Sequence, residues 1–258
     1  MFFKLYGNFG RLFLKNRVYL CIDKSMKNMK RILFGIIAAA ALVSCNPKYD
    51  KIIALSFDDG PSNVTGDILD ILEAEKVKAS FFVVGSWAKT DEYDYTPSML
   101  KAYRQGHAIC NHTWDHPYMT RLTAEQMTDE IERNADFIES VIGERPAFFR
   151  PPYINVNKLL HETVALTFIN GINCSDWEPS VSAAERSQRI LDQAKDGDII
   201  LMHDMMDNVQ TVEALKTLIP ELKARGFELV TVPELFKRKG VTPQPHNGIV
   251  YSNALQTE

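Results

Sequence analysis

The chain has 258 residues, and 45% of them are hydrophobic, which is enough to bury one large core or two small ones. Residues 1–44 hold eight of the 29 lysines and arginines and one of the 33 acids, so residues 45–258 carry a net charge of about −11. This acidic body argues against nucleic acid or an anionic membrane surface as a binding partner.

The first predicted element is a targeting segment. Residues 26–31 contain three basic side chains and precede an apolar run from Ile32 to Val43. This run is too short to span a bilayer as a helix, but it suits the hydrophobic core of a signal peptide. The pattern predicts a start at Met26 or Met29, with an extension upstream of it.

Cys45 ends this segment in the sequence LVSC, which resembles a bacterial lipobox. In a lipobox the cysteine is lipidated and becomes the mature N-terminus. We therefore expect residues 1–45 to be an N-terminal extension plus a lipoprotein signal peptide. The protein would be lipid-anchored in the bacterial cell envelope, at the periplasmic or outer-membrane face. The alternative is a buried helix with an incidental cysteine.

From Lys51 onward, strand-like and helix-like segments alternate. Strands are predicted at residues 52–57, 79–85, 107–113, 147–153, 165–170, 171–177, 198–204 and 227–232. Helices are predicted at residues 67–75, 97–106, 123–142, 182–194 and 209–225. Capping boxes, Thr123 with Gln126 and Ser182 with Glu185, open two of these helices. Pro220 predicts a kink or a break in the last one.

Repeated β–α units with apolar strands indicate a parallel sheet that is covered by helices. About seven such units without a linker predict one α/β domain over residues 46–239, closed or nearly closed into a barrel. We expect residues 240–258 to be an irregular tail. In barrels of this kind, functional groups gather at the carboxyl ends of the strands.

Ionisable residues do follow the predicted strands. They are Asp58, Asp59, His112, His116, Arg150, Asp176 and His203. A spacing of four places His112 and His116 on one side of a helical turn, where they could share a metal ion. Two histidines and one carboxylate form a three-ligand site with open positions, which is typical of a catalytic metal. The alternative is a pair of surface or core histidines.

Two adjacent acids beside a metal can divide the work. One carboxylate would bind the metal, and the other would stay free as a general base for the attacking water. Consecutive side chains of a strand point to opposite sides, so a bend is needed before both can face one site. Gly60-Pro61 is expected to supply that bend.

A hydrolase also needs a general acid, and His203 is the free candidate. Asp176 could orient His203 and hold it protonated, and Arg150 could pair with the base carboxylate. The alternatives are ordinary salt bridges for Arg150 and Asp176, and a satisfied core histidine for His203.

The motifs SFDDGP, HTWDH, RPPY, SDW and ILMH occur in this order over residues 56–203. Together they resemble the five motifs of the NodB-homology polysaccharide deacetylases, carbohydrate esterase family 4. The resemblance covers nearly all of the chain after the signal peptide. It implies a distorted (β/α) barrel with seven strands, and metal-dependent removal of acetyl groups from a polysaccharide.

The resemblance also assigns roles to individual residues. It implies that Asp58 is the base, that Asp59, His112 and His116 bind the metal, and that Arg150 pairs with the base. The expected cofactor is one divalent ion, Zn²⁺ first, with Co²⁺, Ni²⁺ or Mn²⁺ as alternatives.

On the leaving-group side, the resemblance implies that His203 is the acid and that Asp176 tunes it. The backbone N–H of Tyr153 would hold the oxyanion, and Trp177 would line the pocket for the acetyl methyl group.

The leading expectation for function is N-deacetylation of N-acetylglucosamine-type residues in peptidoglycan or a chitin-like glycan. An alternative is O-deacetylation of xylan or another acetylated glycan, because the same site can attack an ester. An alternative of another class is an inactive glycan-binding lipoprotein. All five of the base, metal-ligand and acid residues are present, which argues against it.

Overall fold

The computed structural model describes residues 49–256. The predicted signal segment and the lipidation site Cys45 lie outside these residues. At the centre is a nine-stranded sheet. Its strands are β1 (Lys51–Gly60), β2 (Ser80–Val83), β3 (Ala108–Asn111), β4 (Phe148–Phe149), β5 (Thr167–Ile169), β6 (Ile172–Asn173), β7 (Ile199–His203), β8 (Phe227–Val230) and β9 (Val250–Tyr251).

Helices follow most of the strands. They are α1 (Thr65–Ala74), α2 (Gly85–Ala88), α3 (Thr96–Arg104), α4 (Ala124–Ile142), α5 (Lys158–Thr163), α6 (Ala183–Gln193), α7 (Val209–Ala224) and α8 (Val232–Lys239). Short 3₁₀ turns cover Met119–Arg121 and Pro152–Ile154. Among the described residues, no helix is long and apolar enough to cross a membrane.

The strands pair in the order β6-β7-β1-β2-β3-β4-β5-β9, and β8 pairs with the first half of β1. Each of these pairings is parallel, and the sheet curls into a half-barrel. The predicted barrel-type α/β fold is confirmed. Every predicted strand and helix is also found, although β4 and β6 have only two residues each.

Alternation along β1 explains how the core and the site separate. Ile53, Leu55 and Phe57 belong to the large apolar cluster that includes α1 and α7, whereas Ala54 belongs to a second cluster. Because side chains alternate along a strand, Ser56 and Asp58 face the same side as Ala54. The polar end of β1 therefore points away from the helix-covered core.

Helix α7 runs without a break through Pro220, so the predicted break is wrong. Pro220 is exposed, while Leu218, Ile219 and Leu222 beside it are fully buried. The proline removes one intrahelical hydrogen bond at a position where water can satisfy the free carbonyl. Burial of the leucine and isoleucine side chains keeps the helix in place.

The tail after Gly240 contains β9, which pairs with β5. Beyond β9, the N–H of Ile199 donates to the carbonyl of Ser252 at 3.0 Å. The N–H of Ala254 donates to the carbonyl of Gly197 at 2.8 Å. The tail thus bonds both to β5 and to the segment that leads into β7.

Candidate active site

The polar strand-end residues meet at one edge of the half-barrel. Asp58 on β1 lies opposite His203 on β7 in the register of the two strands. His112 directly follows β3, and Arg150 directly follows β4. Parallel strands place their carboxyl ends at the same edge, which is why residues far apart in sequence come together here.

Asp59, His112 and His116 form a compact triad. The Oδ1 atom of Asp59 lies 3.4 Å from Nε2 of His112 and 3.5 Å from Nε2 of His116. The three candidate ligand atoms all lie within 4.8 Å of one another. Oδ1 of Asp59 is buried and has no hydrogen-bond partner among the described residues. A buried carboxylate oxygen that faces two imidazole nitrogens fits a divalent cation.

The bend that brings both acids to one side lies at Asp59, one residue before the expected Gly60-Pro61. Asp59 has a φ of 69°, and the pairing of β1 with β2 shifts register between Asp58 and Gly60. A left-handed backbone is strained for a residue with a Cβ, so local packing must hold it. A Cβ at Gly60 would lie 2.3 Å from Oδ2 of Asp204, so this position requires glycine.

The two histidines do not lie on a helical turn, contrary to the expectation from their spacing. Residues 112–116 are irregular, with positive φ at Thr113 and His116. His112 donates from Nδ1 to the carbonyl of Arg150 at 2.6 Å, which leaves Nε2 free to face Asp59. The N–H of His116 donates to the Thr113 hydroxyl at 3.0 Å.

The protonation states of Asp59 and His116 suit metal binding. Burial alone would raise the pKa of Asp59, but the facing imidazole of His112, with smaller effects of His203 and His116, lowers it to about 2. Burial lowers the pKa of His116 to about 4, helped by the neighbouring His112. At neutral pH these two side chains need not lose a proton before they bind a cation.

Arg150 and Asp58 form a buried ion pair. The guanidinium donates to Oδ1 of Asp58 at 2.5 Å, to the Ser56 hydroxyl at 2.9 Å and to the carbonyl of Asn170 at 2.9 Å. It also lies over the ring of Phe82, 4.1 Å from the centroid. Arg150 is 0% exposed, so these contacts fix the orientation of the Asp58 carboxylate.

Asp176 and His203 form a second pair. Nδ1 of His203 donates to Oδ1 of Asp176 at 2.8 Å, and the backbone N–H of His203 donates to Oδ2 at 2.7 Å. Burial alone would lower the pKa of His203, but the hydrogen bond and charge of Asp176 raise it to about 9. His203 therefore holds a proton at neutral pH, and its Nε2 is the atom that can deliver it.

Aromatic side chains border both parts of the site. Trp177 is 43% exposed and lies edge-on to His203, with ring centroids 5.4 Å apart. Tyr153 has a φ of 57°, and its ring lies 4.7 Å from that of His116. Tyr118, which the sequence analysis did not single out, stacks on Tyr153 at 4.0 Å.

Asp204 was also missed by the sequence analysis. It is completely buried and accepts hydrogen bonds from the hydroxyls of Ser62 at 3.0 Å and Thr65 at 2.7 Å. Its burial raises its pKa to about 7. Its N–H donates to the carbonyl of Asp58 at 2.7 Å, so Asp204 fastens the turn after β1 to β7. The sequence feature that could have pointed to Asp204 was its position directly after the candidate residue His203.

A comparison with protein families matches residues 46–177 to the family described as polysaccharide deacetylase. The match includes the triad together with Asp58, Arg150 and Asp176, and it ends before His203.

Two curated relatives extend the similarity past that point. A bifunctional xylanase/deacetylase of Pseudobutyrivibrio xylanivorans is 43% identical over 77% of this chain. A peptidoglycan-N-acetylglucosamine deacetylase of Bacillus cereus is 35% identical over 75% of this chain. The chain spans 32–40% of the length of the first curated relatives that it matches, and 92% of the Bacillus cereus protein.

A solved structure with the same fold is a family 4 acetyl xylan esterase from Clostridium thermocellum in complex with a cobalt ion. It superposes with a TM-score of 0.76 and 37% identity, over 80% of this chain and all of that one. The structural similarity therefore extends over four fifths of this chain.

Proposed function

The chain belongs to the polysaccharide deacetylase family, and from this premise we propose that it is a hydrolase that removes acetyl groups from a glycan. The observation that carries the proposal is the placement of two carboxylate–cation pairs beside one possible metal site. Asp58 with Arg150 forms a group that can accept a proton, and His203 with Asp176 forms a group that can donate one.

We propose that Asp59, His112 and His116 hold one divalent ion, Zn²⁺ first, with Co²⁺, Ni²⁺ or Mn²⁺ as alternatives. The buried, unpartnered Oδ1 of Asp59 supports this proposal, as does the cobalt ion of the Clostridium thermocellum relative. Such an ion supplies Lewis-acid polarisation of the acetyl carbonyl and a lowered water pKa. The surrounding residues would transfer the protons and bind the oxyanion.

Asp58 would take a proton from the water that attacks the acetyl carbon, while Arg150 keeps the carboxylate aimed at that water. The backbone N–H of Tyr153 would donate to the oxyanion that forms on the carbonyl oxygen. As the bond between the acetyl carbon and the oxygen or nitrogen of the sugar breaks, Nε2 of His203 would give its proton to that oxygen or nitrogen. The products are acetate and a free hydroxyl or amino group on the glycan.

Among substrates, we propose acetyl esters of a xylan-type glycan first and N-acetylglucosamine-type amides second. The xylan-related proteins are 43% and 37% identical to this chain, against 35% for the Bacillus cereus peptidoglycan deacetylase. This order reverses the one expected from the motifs alone. The site itself fits both substrates, because His203 can protonate an oxygen or a nitrogen.

The test is acetate release from acetylated xylan, chito-oligosaccharides and peptidoglycan, with and without a chelator. We expect the fastest release from acetylated xylan, its loss on chelation and its recovery with Zn²⁺ or Co²⁺. Faster release from an N-acetylated glycan would replace the first substrate class with the second. Glycan binding without acetate release under any of these metals would refute the enzyme and favour a glycan-binding lipoprotein.

We also propose that Cys45 carries a lipid that anchors the protein in the cell envelope. The basic and apolar segment before LVSC supports this proposal. The full chain and its Cys45→Ser variant would be expressed in a bacterium and separated into membrane and soluble fractions. We expect only the unaltered chain in the membrane fraction, and an equal distribution of both would refute the anchor.

A further inference from the structure

Arg186, on α6, is a buried arginine that the proposed reaction does not use. It is 1% exposed, and among residues 49–256 no carboxylate lies within salt-bridge distance of it. Nε donates to the carbonyl of Val181 at 2.9 Å, and one terminal nitrogen donates to the carbonyl of Glu178 at 3.2 Å. Both carbonyls belong to the loop that follows Trp177. A buried charge with only neutral acceptors is costly, which raises the question of what its remaining donors hold.

One series of hydrogen bonds connects Arg186 to the carboxylate of Asp176, the partner of His203. The other terminal nitrogen of Arg186 donates to the hydroxyl of Thr211 at 2.8 Å, and that hydroxyl lies 2.8 Å from Oδ2 of Asp176. A guanidinium can only donate, and a hydroxyl has one proton. Thr211 must therefore accept from Arg186 and give its single proton to Asp176. The direction of this chain of hydrogen bonds is fixed.

A second series of hydrogen bonds connects Arg186 to the backbone of His203. The same nitrogen of Arg186 donates to Oδ1 of Asn208 at 2.5 Å, and Nδ2 of Asn208 donates to the carbonyl of His203 at 3.1 Å. Because the arginine accepts nothing, it fixes which end of the amide faces it. Arg186 thus reaches His203 by two routes, through Thr211 and Asp176 to the imidazole and through Asn208 to the main chain.

We propose that Arg186 and Thr211 are positioning residues that hold the Asp176–His203 pair in the orientation needed for proton donation. This inference rests on the proposed function, in which His203 protonates the leaving group. Hydrogen bonds in a buried chain polarise one another, so the guanidinium strengthens the bond from Thr211 to Asp176. Oδ2 of Asp176 accepts from Thr211 and from the main chain of His203, so the carboxylate is held in place and its Oδ1 faces Nδ1 of the imidazole, which leaves Nε2 pointing away from Asp176.

The test compares two leaving groups. A sugar oxygen or nitrogen must be protonated as it departs, whereas 4-nitrophenolate leaves without a proton, so only the first reaction needs the acid. The variant is Thr211→Val, which keeps the shape and removes the hydroxyl. We expect kcat on the acetylated glycan to fall about tenfold, with KM unchanged and less than about twofold loss on 4-nitrophenyl acetate. Equal losses on both substrates would overturn the inference.

Three further variants separate positioning from folding. Thr211→Ser retains the hydroxyl and should restore kcat to within about twofold of the wild type. Ser187→Ala removes a buried hydrogen bond to the carbonyl of Ala214 on α7, so it matches the loss of packing between α6 and α7 without touching Asp176. It should affect both substrates equally and slightly. Arg186→Met should lower kcat on the glycan about a hundredfold, provided that it folds.

A measurement without turnover keeps this inference distinct from the proposed function. If the wild type releases acetate from no substrate, the proposed function fails. The positioning can then still be judged from the NMR signal of the Nδ1 proton of His203 in metal-free protein. We expect a slowly exchanging, downfield signal in the wild type and in Thr211→Ser, and its loss in Thr211→Val. An unchanged signal in Thr211→Val would overturn the inference.

Discussion

Two carboxylate–cation pairs lie at the edge of the half-barrel, and they differ in which partner can lose its charge. Asp58 contacts Arg150, whose guanidinium is charged at every accessible pH. Asp176 contacts His203, whose imidazole exchanges its proton. Asp58 and His203 are opposite each other on neighbouring strands, so the two reactive groups share one level of the sheet.

The two pairs also differ in how much of their side chains is exposed to solvent. The side chains of Arg150 and Asp58 are 0% and 3% exposed, whereas the side chain of His203 is 13% exposed. A permanent cation in a sealed position can only hold a carboxylate ready to accept a proton. A titratable cation at the opening can give its proton away. In the proposed reaction, the same kind of ion pair would thus supply a base in one place and an acid in the other.

The largest effect is expected for Asp58→Asn. Asparagine has the same shape and cannot accept the proton of the attacking water, so kcat should fall about a thousandfold. Asp59, His112 and His116 are intact in this variant, so the bound metal content should be unchanged. Steady-state kinetics and metal analysis would measure both.

Asp192→Asn, on the exposed face of α6, is the matched control for that substitution and should keep full activity. More than a tenth of the wild-type rate in Asp58→Asn would remove Asp58 from the role of base.

Of the two pairs, the buried pair of Arg150 and Asp58 should contribute more to the stability of the fold. Arg150→Met leaves the Asp58 carboxylate buried without its cation, and we expect the free energy of unfolding to fall by about 3–5 kcal/mol. Arg145 contacts Glu132, Asp136 and Glu139 at the surface, and Arg145→Met should cost at most about 1 kcal/mol. Urea unfolding of the two variants measures the contrast, and equal losses would contradict it.

The sequence pointed to the candidate reactive residues because β1 and β7 are apolar runs that end abruptly in charged side chains. It could not assign unequal roles to Asp58 and Asp59 without the family resemblance, because the partner of Asp58 is 92 residues away in sequence. The bend at Asp59 was misplaced for a similar reason. Its positive φ depends on packing against a distant strand, whereas Gly60-Pro61 is a local turn signal.

Two elements near the end of the chain were missed for different reasons. The two residues of β9 carry no periodicity, and only their pairing with β5 makes them a strand. Helix α8 did have a signal, since Thr231 caps the N–H of Glu234 and Pro233 lies in its first turn. The apolar run before it masked that signal. Long-range pairing cannot be seen in a local pattern, but a cap can.

The pair formed by Asp176 and His203 should respond to pH. The folded-state pKa of His203, about 9, lies above the ordinary value of 6.5. The protonated pair therefore stabilises the fold fully below about pH 6.5, and this stabilisation is lost as the pH rises through about 9. In Asp176→Asn, burial still lowers the pKa of His203 and only the weaker charges of Asp58 and Asp59 still raise it, so this pKa should fall from about 9 toward 6.5.

NMR titration of the histidine ring protons in metal-free protein measures this shift. The alkaline limb of kcat should move to lower pH in the same variant, with a loss of up to about tenfold at pH 7.5 relative to its own rate in acid. A His203 pKa that stays near 9 in Asp176→Asn would mean that another group holds the proton.

The smallest effect is expected from Tyr118 and Tyr153, the exposed tyrosines beside the triad, which we expect to contact the glycan without taking part in proton transfer. Stacking of Tyr118 on Tyr153 keeps the Tyr153 ring next to His116, and aromatic contacts of this kind contribute about 0.5–1.5 kcal/mol. Tyr118→Leu should therefore raise KM about two- to tenfold and leave kcat unchanged. Tyr93→Leu alters a second aromatic pair, the tilted rings of Tyr93 and Tyr95, in the acidic loop over residues 90–95. We expect no change of KM there, because the acidic side chains of this loop are exposed to solvent. A fall in kcat in Tyr118→Leu would instead show that the stack positions the Tyr153 backbone N–H for the oxyanion, and so belongs to the chemistry.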